Sequence, residues 1–231
     1  MRRKFLTAHW RHLLLANFVV PEELLRPYLP PDTDFDRREG VCWASLVAFQ
    51  FLNTRVGGIG WPGFRHFPEW NLRFYVVHRG QRGVCFVREW VPQWTVATIA
   101  RVVYNEPYRA APMTMDVRET PDTVTATYRV RWGRRNHTLR AVGSRPAFYP
   151  SSDSCEHWFK EHSWGFGTSR GGRLIRYQVE HPLWAVYPLR DFTMDVDWGQ
   201  LYGPAWQRMN GIAPASVVFA VGSAVSVYPK G

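Results

Sequence analysis

The segment Glu69-Trp70-Asn71-Leu72-Arg73 alternates polar and apolar residues, and its polar positions carry an acid, an amide and a guanidinium. On a β-strand alternate residues share a face, so Glu69 and Arg73 would lie roughly 13 Å apart with Asn71 between them. The residue pattern alone favours a strand with one solvated face. The alternative is a barrel lumen in which Glu69 exchanges protons and Arg73 holds a carboxylate.

A second polar cluster surrounds Pro107. Apolar residues at helical spacing predict a helix over 95–104 that ends before this proline. Because the segment is rich in β-branched residues, a strand is the alternative. The residues around the break that suit ligand binding are Arg101, Tyr104, Tyr108 and Arg109. The break is either a helix end followed by a strand, or a helix end that presents these side chains to a pocket.

Metal and nucleotide motifs are not evident in the sequence. His9 and His12 come nearest to ligand spacing, but positions three apart on a strand point to opposite faces. The sequence contains no phosphate-binding loop, no dinucleotide fingerprint and no GxSxG. We therefore expect no metal and no cofactor. The stretch 57–63 is rich in glycine and is interpreted as a flexible loop that is a candidate lid.

Short extended runs dominate the chain and must position these residues. Strands are predicted at 41–51, 70–78, 84–90, 113–119, 123–132, 136–142, 173–181 and 216–228, with turns at 80–83 and 133–136. Helices are predicted from Pro21, over 95–104 and over 153–162, the last with a capping box of Asp153 and Glu156. The pattern predicts an α+β fold with a curved antiparallel sheet or barrel and a few short helices. The length favours one domain over 1–231.

Composition excludes two classes of protein. Hydrophobic residues make up 45% of the chain, which is too many for a disordered protein, and no apolar run is long enough to cross a membrane. The N-terminus lacks a clean signal peptide, and Cys42, Cys85 and Cys155 lack disulfide or zinc spacing. We expect a cytoplasmic protein with no membrane partner, in which the cysteines pack as small hydrophobic residues.

The net charge is +10, and the basic residues are 26 Arg and 3 Lys. The densest group of arginines lies in the predicted hairpin 129–140, outside any nucleic-acid-binding motif. We interpret it as a solvated basic surface and expect no specific nucleic-acid partner. Weak binding of polyanions through this hairpin is the alternative, and assembly into a homo-oligomer is left open.

Several blocks of the sequence resemble a known family over about residues 8–228. They are 10–13 with 21–25 and 29–30, 67–76, 83–86, 100–104, 107–108 and 179–184. Together they resemble the YqjF-like family, a domain of unknown function usually placed beside acetoacetate decarboxylase. The resemblance implies a barrel-like α+β fold with a central cavity, and it implies no particular reaction.

One departure from acetoacetate decarboxylase bears on chemistry. Those enzymes place an imine-forming lysine just after a proline, where this chain has Tyr108 and Arg109 after Pro107. Arginine stays protonated and tyrosine has no amine. Lys4 and Lys230 lie at the termini, and Lys160 lies off the apolar face of its predicted helix, four residues after Glu156, as in a solvated pair. We therefore expect no lysine imine.

Together these observations predict a cavity for a small anionic or carbonyl-bearing molecule. Its expected lining is Glu69, Asn71, Arg73, Arg101, Tyr104, Tyr108 and Arg109. Glu69 is the expected acid/base group if a reaction is catalysed, and the arginines are the expected anchors for a carboxylate. A carrier or sensor with the same cavity but no turnover is the alternative.

Overall fold

The computed structural model describes residues 4–103 and 105–229, without the side chains of 99–103. The strands within this part are β1 (Leu6–Val19), β2 (Asp34–Phe35), β3 (Trp43–Val56), β4 (Phe67–His78), β5 (Gln81–Val91), β6 (Tyr108–Ala110), β7 (Met113–Glu119), β8 (Thr123–Trp132), β9 (Arg135–Ser144), β10 (Trp164–Thr168), β11 (Leu174–Glu180), β12 (Leu189–Asp195) and β13 (Ser216–Val227). The helices are α1 (Glu22–Leu25), α2 (Trp94–Val103), α3 (Cys155–Lys160) and α4 (Trp198–Tyr202), with 3-10 turns at Arg26–Tyr28 and Pro204–Met209. This mostly β composition with short helices confirms the predicted α+β class.

The larger sheet curls into a barrel. Its strand order is β2-β4-β3-β1-β13-β11-β10-β5-β6, and β4 also pairs with β5, which closes a ring from β4 through β3, β1, β13, β11 and β10 to β5. Most pairings are antiparallel, but β5 runs parallel to both β10 and β6. The two strands β2 and β6 extend the sheet beyond the ring.

A smaller sheet packs against the outside of the barrel. It has the order β12-β9-β8-β7. The outer face of β4 meets it through the buried side chains of Trp70, Leu72, Phe74 and Val76, which share one hydrophobic cluster with residues of β8, β9 and α4. The indole nitrogen of Trp70 donates a hydrogen bond of 2.9 Å to the Tyr202 hydroxyl on α4. The apolar set predicted for one face of β4 is thus the face that joins the layers.

The alternate residues of β4 face the inside of the barrel. Glu69 and Asn71 are buried there, Arg73 is half-buried, and Tyr75 belongs to a second hydrophobic cluster inside the ring. Both faces of the strand are therefore removed from bulk solvent, because one meets the small sheet and the other the barrel interior. The interpretation of Glu69 and Arg73 as a solvated strand face is wrong.

The two ends of the barrel differ. At one end α3 and the residues after it cover the interior, with Phe159 packed on Trp43 and Tyr75 at ring centroid distances of 5.1 and 5.6 Å. At the other end lies the loop between β3 and β4, which contains the glycine-rich stretch 57–63. The side chain of Gln93 donates a hydrogen bond of 3.3 Å to the Gly63 carbonyl, so this loop is tied to the start of α2.

Some elements differ from the sequence prediction. No strand was predicted for β1, β10 or β12, and no helix for α4. The N-cap of α3 is Ser154, whose hydroxyl accepts from the backbone N–H of His157, and not Asp153 as the predicted capping box requires. Cys42 and Cys85 are free and buried, and Cys155 is free and half-buried. Within the described part of the chain, no helix has the length and apolar character needed to cross a membrane.

Candidate functional site

The barrel interior contains a cavity of about 550 Å³. Its wall is mostly apolar and is built from all seven strands of the ring together with β6, the β3–β4 loop and the start of α2. Polar side chains are concentrated on β4, β5 and β6 and on the segment after α3. The polar and charged residues of the wall are Thr54, Glu69, Asn71, Arg73, Glu89, Thr95, Glu106, Tyr108, Lys160, His162, Tyr177 and His181.

Glu69 is held at the centre of this polar region. Its side chain is almost fully buried, with 3% of the residue surface exposed. The Asn71 amide donates to Oε1 and the Tyr108 hydroxyl donates to Oε2, each at 2.9 Å. Burial raises the pKa of Glu69 to about 7, against the opposing effects of these two donors and of Arg73. A carboxyl group with this pKa exchanges protons near neutral pH, as a general acid or base must.

Two further buried glutamates, Glu89 and Glu106, complete an acidic cluster with Glu69. Glu89 lies opposite Asn71 on β4 and opposite Tyr108 on β6. The strand register therefore sets Asn71, Glu89 and Tyr108 in one row across the sheet. Burial, reinforced by the other two glutamates, raises the pKa of Glu89 well above its ordinary value. Burial raises the pKa of Glu106 to about 8, and a hydrogen bond with Tyr177 opposes this shift.

Glu89 escaped the sequence analysis because of a β-bulge. The register of β4 against β5 shifts between Leu72 and Arg73, so that Phe86 and Glu89, three residues apart, both border the cavity. Strict alternation along β5 would have placed them on opposite faces. A bulge has no clear sequence signature here. For Glu106, the signal that could have found it was its position directly before Pro107 in the cluster already noted.

Arg73, an anchor predicted from the sequence, borders the cavity and lowers the pKa of Glu69 through its charge. One guanidinium nitrogen donates a hydrogen bond of 3.0 Å to the Phe159 carbonyl, and the guanidinium lies 5.9 Å from the ring centre of Tyr75. Its Nε is buried and has no hydrogen-bond partner. A buried donor without a partner costs free energy, so Arg73 is suited to take a hydrogen-bond acceptor from a ligand.

Lys160 also borders the cavity, which corrects the sequence interpretation. Only 1% of its side-chain surface is exposed, and its ammonium group is paired with Glu161 rather than with Glu156. The expectation of a solvated pair is wrong because α3 covers the end of the barrel, so that Lys160 borders the cavity instead of facing solvent. Lys160 therefore lies where it can meet a ligand in the cavity.

Two histidines near Lys160 border the cavity as well. Nε2 of His162 lies 3.3 Å from the Asp36 carboxylate, which in turn accepts from Arg82 at 2.6 Å. Burial lowers the pKa of His162 to about 4, so the imidazole is neutral at neutral pH. The ring of His181 stacks on Trp184 at 4.0 Å, and burial lowers its pKa. Among the described residues no group of His, Cys, Asp or Glu has the arrangement of a metal site.

Of the four remaining predicted site residues, the structure describes the side chains of two, Tyr108 and Arg109. Tyr108 faces the cavity, whereas Arg109 is exposed and lies with its guanidinium 5.8 Å from the ring centre of Trp132. Arg109 does not border the cavity because Tyr108–Ala110 is strand β6, in which the side chains of neighbouring residues point to opposite sides. The predicted helix end does not extend to it. The side chains of Arg101 and Tyr104 lie outside the described residues.

The chain has the fold of the acetoacetate decarboxylase-like barrels. It is similar to acetoacetate decarboxylase from Legionella pneumophila, with a TM-score of 0.65 and 12% identity over 98% of this chain and 86% of that one. It is also similar to the enduracididine biosynthesis enzyme MppR complexed with pyruvate, with a TM-score of 0.64 and 12% identity over 99% of this chain and 89% of that one.

Sequence comparison gives the family. A model described as an uncharacterized conserved protein matches residues 7–224, and the chain belongs to this family, DUF2071. The uncharacterized protein YqjF from Bacillus subtilis (strain 168) is 27% identical over 179 residues, which cover 77% of this chain and 73% of that protein. The resemblance inferred from the sequence blocks is thereby confirmed.

Proposed function

We propose that the cavity binds a small organic acid that carries a carbonyl group, and that Glu69 exchanges a proton with it. The observation that carries this proposal is that Glu69 and Arg73 both border one mostly apolar cavity. Glu69 is a buried carboxyl group with a pKa of about 7, and Arg73 has a buried donor without a partner. An acid/base group and a cation on the wall of the same cavity suit a carbonyl acid.

The proposed chemistry uses only groups in the cavity. Arg73 holds the ligand carboxylate, and the ionised form of Glu69 takes a proton from the carbon next to the carbonyl. The electron pair of the broken C–H bond forms a carbon–carbon double bond, and the π pair of the carbonyl moves onto its oxygen, which gives an enolate. Return of the proton from Glu69 to the carbon restores the ligand. MppR, whose fold is similar, has been described complexed with pyruvate, which makes pyruvate a suitable probe.

Binding is tested by titration calorimetry with pyruvate at neutral pH. Arg73→Met should weaken binding by roughly 10-fold to 100-fold, because a hydrogen bond to a charged group is lost. Arg109→Met is the matched control, since it removes the same charge from an exposed site outside the cavity. Equal effects of the two substitutions, or none from either, would contradict the assignment of Arg73.

Proton exchange is tested by following the methyl protons of pyruvate by NMR in heavy water. The protein should accelerate their replacement by deuterium, and Glu69→Gln should abolish this acceleration while leaving binding nearly intact. Binding without any accelerated exchange would favour the second candidate function, a carrier or sensor. The mostly apolar wall of the cavity is the observation that supports this second candidate.

A further inference from the structure

The cavity is far larger than its polar region. Its volume of about 550 Å³ lies within the range of sites that enclose drug-sized ligands. Pyruvate, with a single methyl group beyond its carbonyl, would occupy the space between Glu69 and Arg73 and leave most of the cavity unfilled. The composition of the unfilled part therefore indicates what else the ligand carries.

An aromatic wall lines this unfilled part. Trp10 contacts Phe49, Phe51 and Trp184 at ring centroid distances of 5.1, 5.7 and 6.1 Å, and Phe51 stacks on Phe67 at 4.8 Å. We define the aromatic wall as Trp10, Phe49, Phe51, Phe67 and Trp184, all of which border the cavity. It offers few polar atoms, so water in contact with it would lack the hydrogen-bond partners that ordered buried water requires.

The strand register orders the cavity from polar to apolar. Going along β3 and β4, the facing pairs are Ser45 with Arg73, Val47 with Asn71, Phe49 with Glu69, and Phe51 with Phe67. The polar pair of Ser45 and Arg73 lies toward α3, which covers that end of the barrel. The phenylalanine pair lies toward the β3–β4 loop, so the apolar part extends from Glu69 toward that loop.

The β3–β4 loop supplies an apolar rim, which we define as Val56, Trp61 and Phe64. All three border the cavity, and Trp61 is also 53% exposed to solvent. An exposed tryptophan that touches a cavity indicates that the cavity opens there. An apolar chain extending from the polar region would thus run along the aromatic wall and end at this rim.

We propose that the ligand is an amphiphilic acid, whose carbonyl and carboxylate lie at Glu69 and Arg73 and whose alkyl or aryl chain lies along the aromatic wall toward the rim. The placement of its head group rests on the function proposed above. The placement of its chain rests on the aromatic wall and the rim alone.

The test compares 2-oxo acids that differ only in chain length: pyruvate, 2-oxohexanoate and 2-oxooctanoate, titrated by calorimetry at neutral pH. Each added methylene should tighten binding roughly threefold to fourfold, the amount expected when a methylene is transferred from water to an apolar site. Equal affinity for all three acids would overturn the proposal.

Two rim variants locate the chain. Trp61→Ala should weaken binding of 2-oxooctanoate by roughly threefold to tenfold through lost apolar contact, and leave pyruvate binding unchanged. Val56→Trp, which narrows the rim, should reduce 2-oxooctanoate to the affinity of pyruvate. The control is Tyr149→Ala, which removes a 72% exposed aromatic side chain that does not border the cavity. Rim variants that behave like this control would place the chain elsewhere and overturn the proposal.

A parallel titration with 1-octanol separates the two proposals. If 1-octanol binds as tightly as 2-oxooctanoate and Arg73→Met weakens neither, the head-group assignment fails and the chain site stands. If pyruvate binds in an Arg73-dependent manner but longer acids gain nothing, the chain site fails and the function proposed above stands. Failure of every compound to bind would overturn both.

Discussion

Glu69 is an acid that the fold keeps protonated at a pH where an exposed glutamate is ionised. In the unfolded chain it loses its proton near the ordinary pKa of 4.5, whereas in the folded protein it does so near 7. Between these values the folded state binds more protons, so the contribution of Glu69 to stability is full below pH 4.5 and is lost as the pH rises toward 7.

The substitution Glu69→Gln should therefore stabilise the protein at alkaline pH. We expect the free energy of unfolding at pH 8 to rise by roughly 1–3 kcal/mol, and at pH 5 to change much less. Urea denaturation of both proteins at the two pH values measures this. The comparison cancels the groups that do not interact with Glu69, including His162, whose lowered pKa acts in the opposite direction. A change in stability independent of pH would show that burial does not perturb Glu69.

Lys160 is buried at the cavity, whereas the sequence predicted that it is exposed to solvent. Its amine borders the cavity but is paired with Glu161, so it must leave this partner and lose a proton before it can attack a carbonyl. We expect incubation with pyruvate and borohydride to leave the mass of the protein unchanged.

The variant Glu161→Gln is the matched comparison for Lys160, because it removes the partner's charge and keeps its shape. An adduct in this variant alone would show that Glu161 prevents imine formation. An adduct on Lys160 of the unmodified sequence would contradict the prediction and return the protein to imine chemistry.

At the scale of elements, the pairing of β1 with β13 depends on a glycine. Gly222 has a φ of +84°, and a Cβ placed on it would lie 2.0 Å from the Trp10 carbonyl oxygen on β1. Gly222→Ala would combine an unfavourable backbone conformation with a backbone clash, so we expect it to reduce the free energy of unfolding by about 4 kcal/mol or more.

Gly211→Ala is the matched control for the β1–β13 contact. Gly211 has a similar φ of +79°, and a Cβ there would meet no atom within 4 Å. Only the backbone cost of about 1–2 kcal/mol is expected. Chemical denaturation of both variants measures the difference. Equal losses in the free energy of unfolding would mean that the close approach of the two strands adds nothing to the cost of a side chain at Gly222.

The elements also show how far the sequence could predict the site. The two faces of β4 were correctly separated because its polar and apolar residues alternate without interruption from Glu69 to Arg73. The alternation could not show whether the polar face meets solvent, because a polar face inside a barrel and a polar face outside it produce the same alternation of residues. Glu89 was hidden by the bulge in β5. Lys160 was hidden because the residue spacing within α3 does not show that this helix covers the end of the barrel.

For the whole molecule, the net charge of +10 is the property that bears on unintended partners. The basic hairpin of β8 and β9 is partly neutralised, because Arg135 pairs with Asp195 and Arg140 with Asp191 of β12.

We propose that the chain binds DNA weakly and without sequence preference. Fluorescence anisotropy with two unrelated duplexes should give equal affinities that fall steeply between about 50 and 200 mM salt, through counterion release. Selective binding at the higher salt concentration would contradict this.

The division of β4 between two environments has a consequence for how such a protein can change over time. Substitutions at positions 70, 72, 74 and 76 act on the dry layer between the sheets, where a large-to-small change costs about 2–5 kcal/mol. Substitutions at 69, 71 and 73 act on the cavity, so many of them would alter what is bound while the chain still folds. A saturation mutagenesis of this strand would then show losses of abundance and losses of binding at alternating positions. A lineage could acquire a new ligand through the second set without passing through unfolded intermediates.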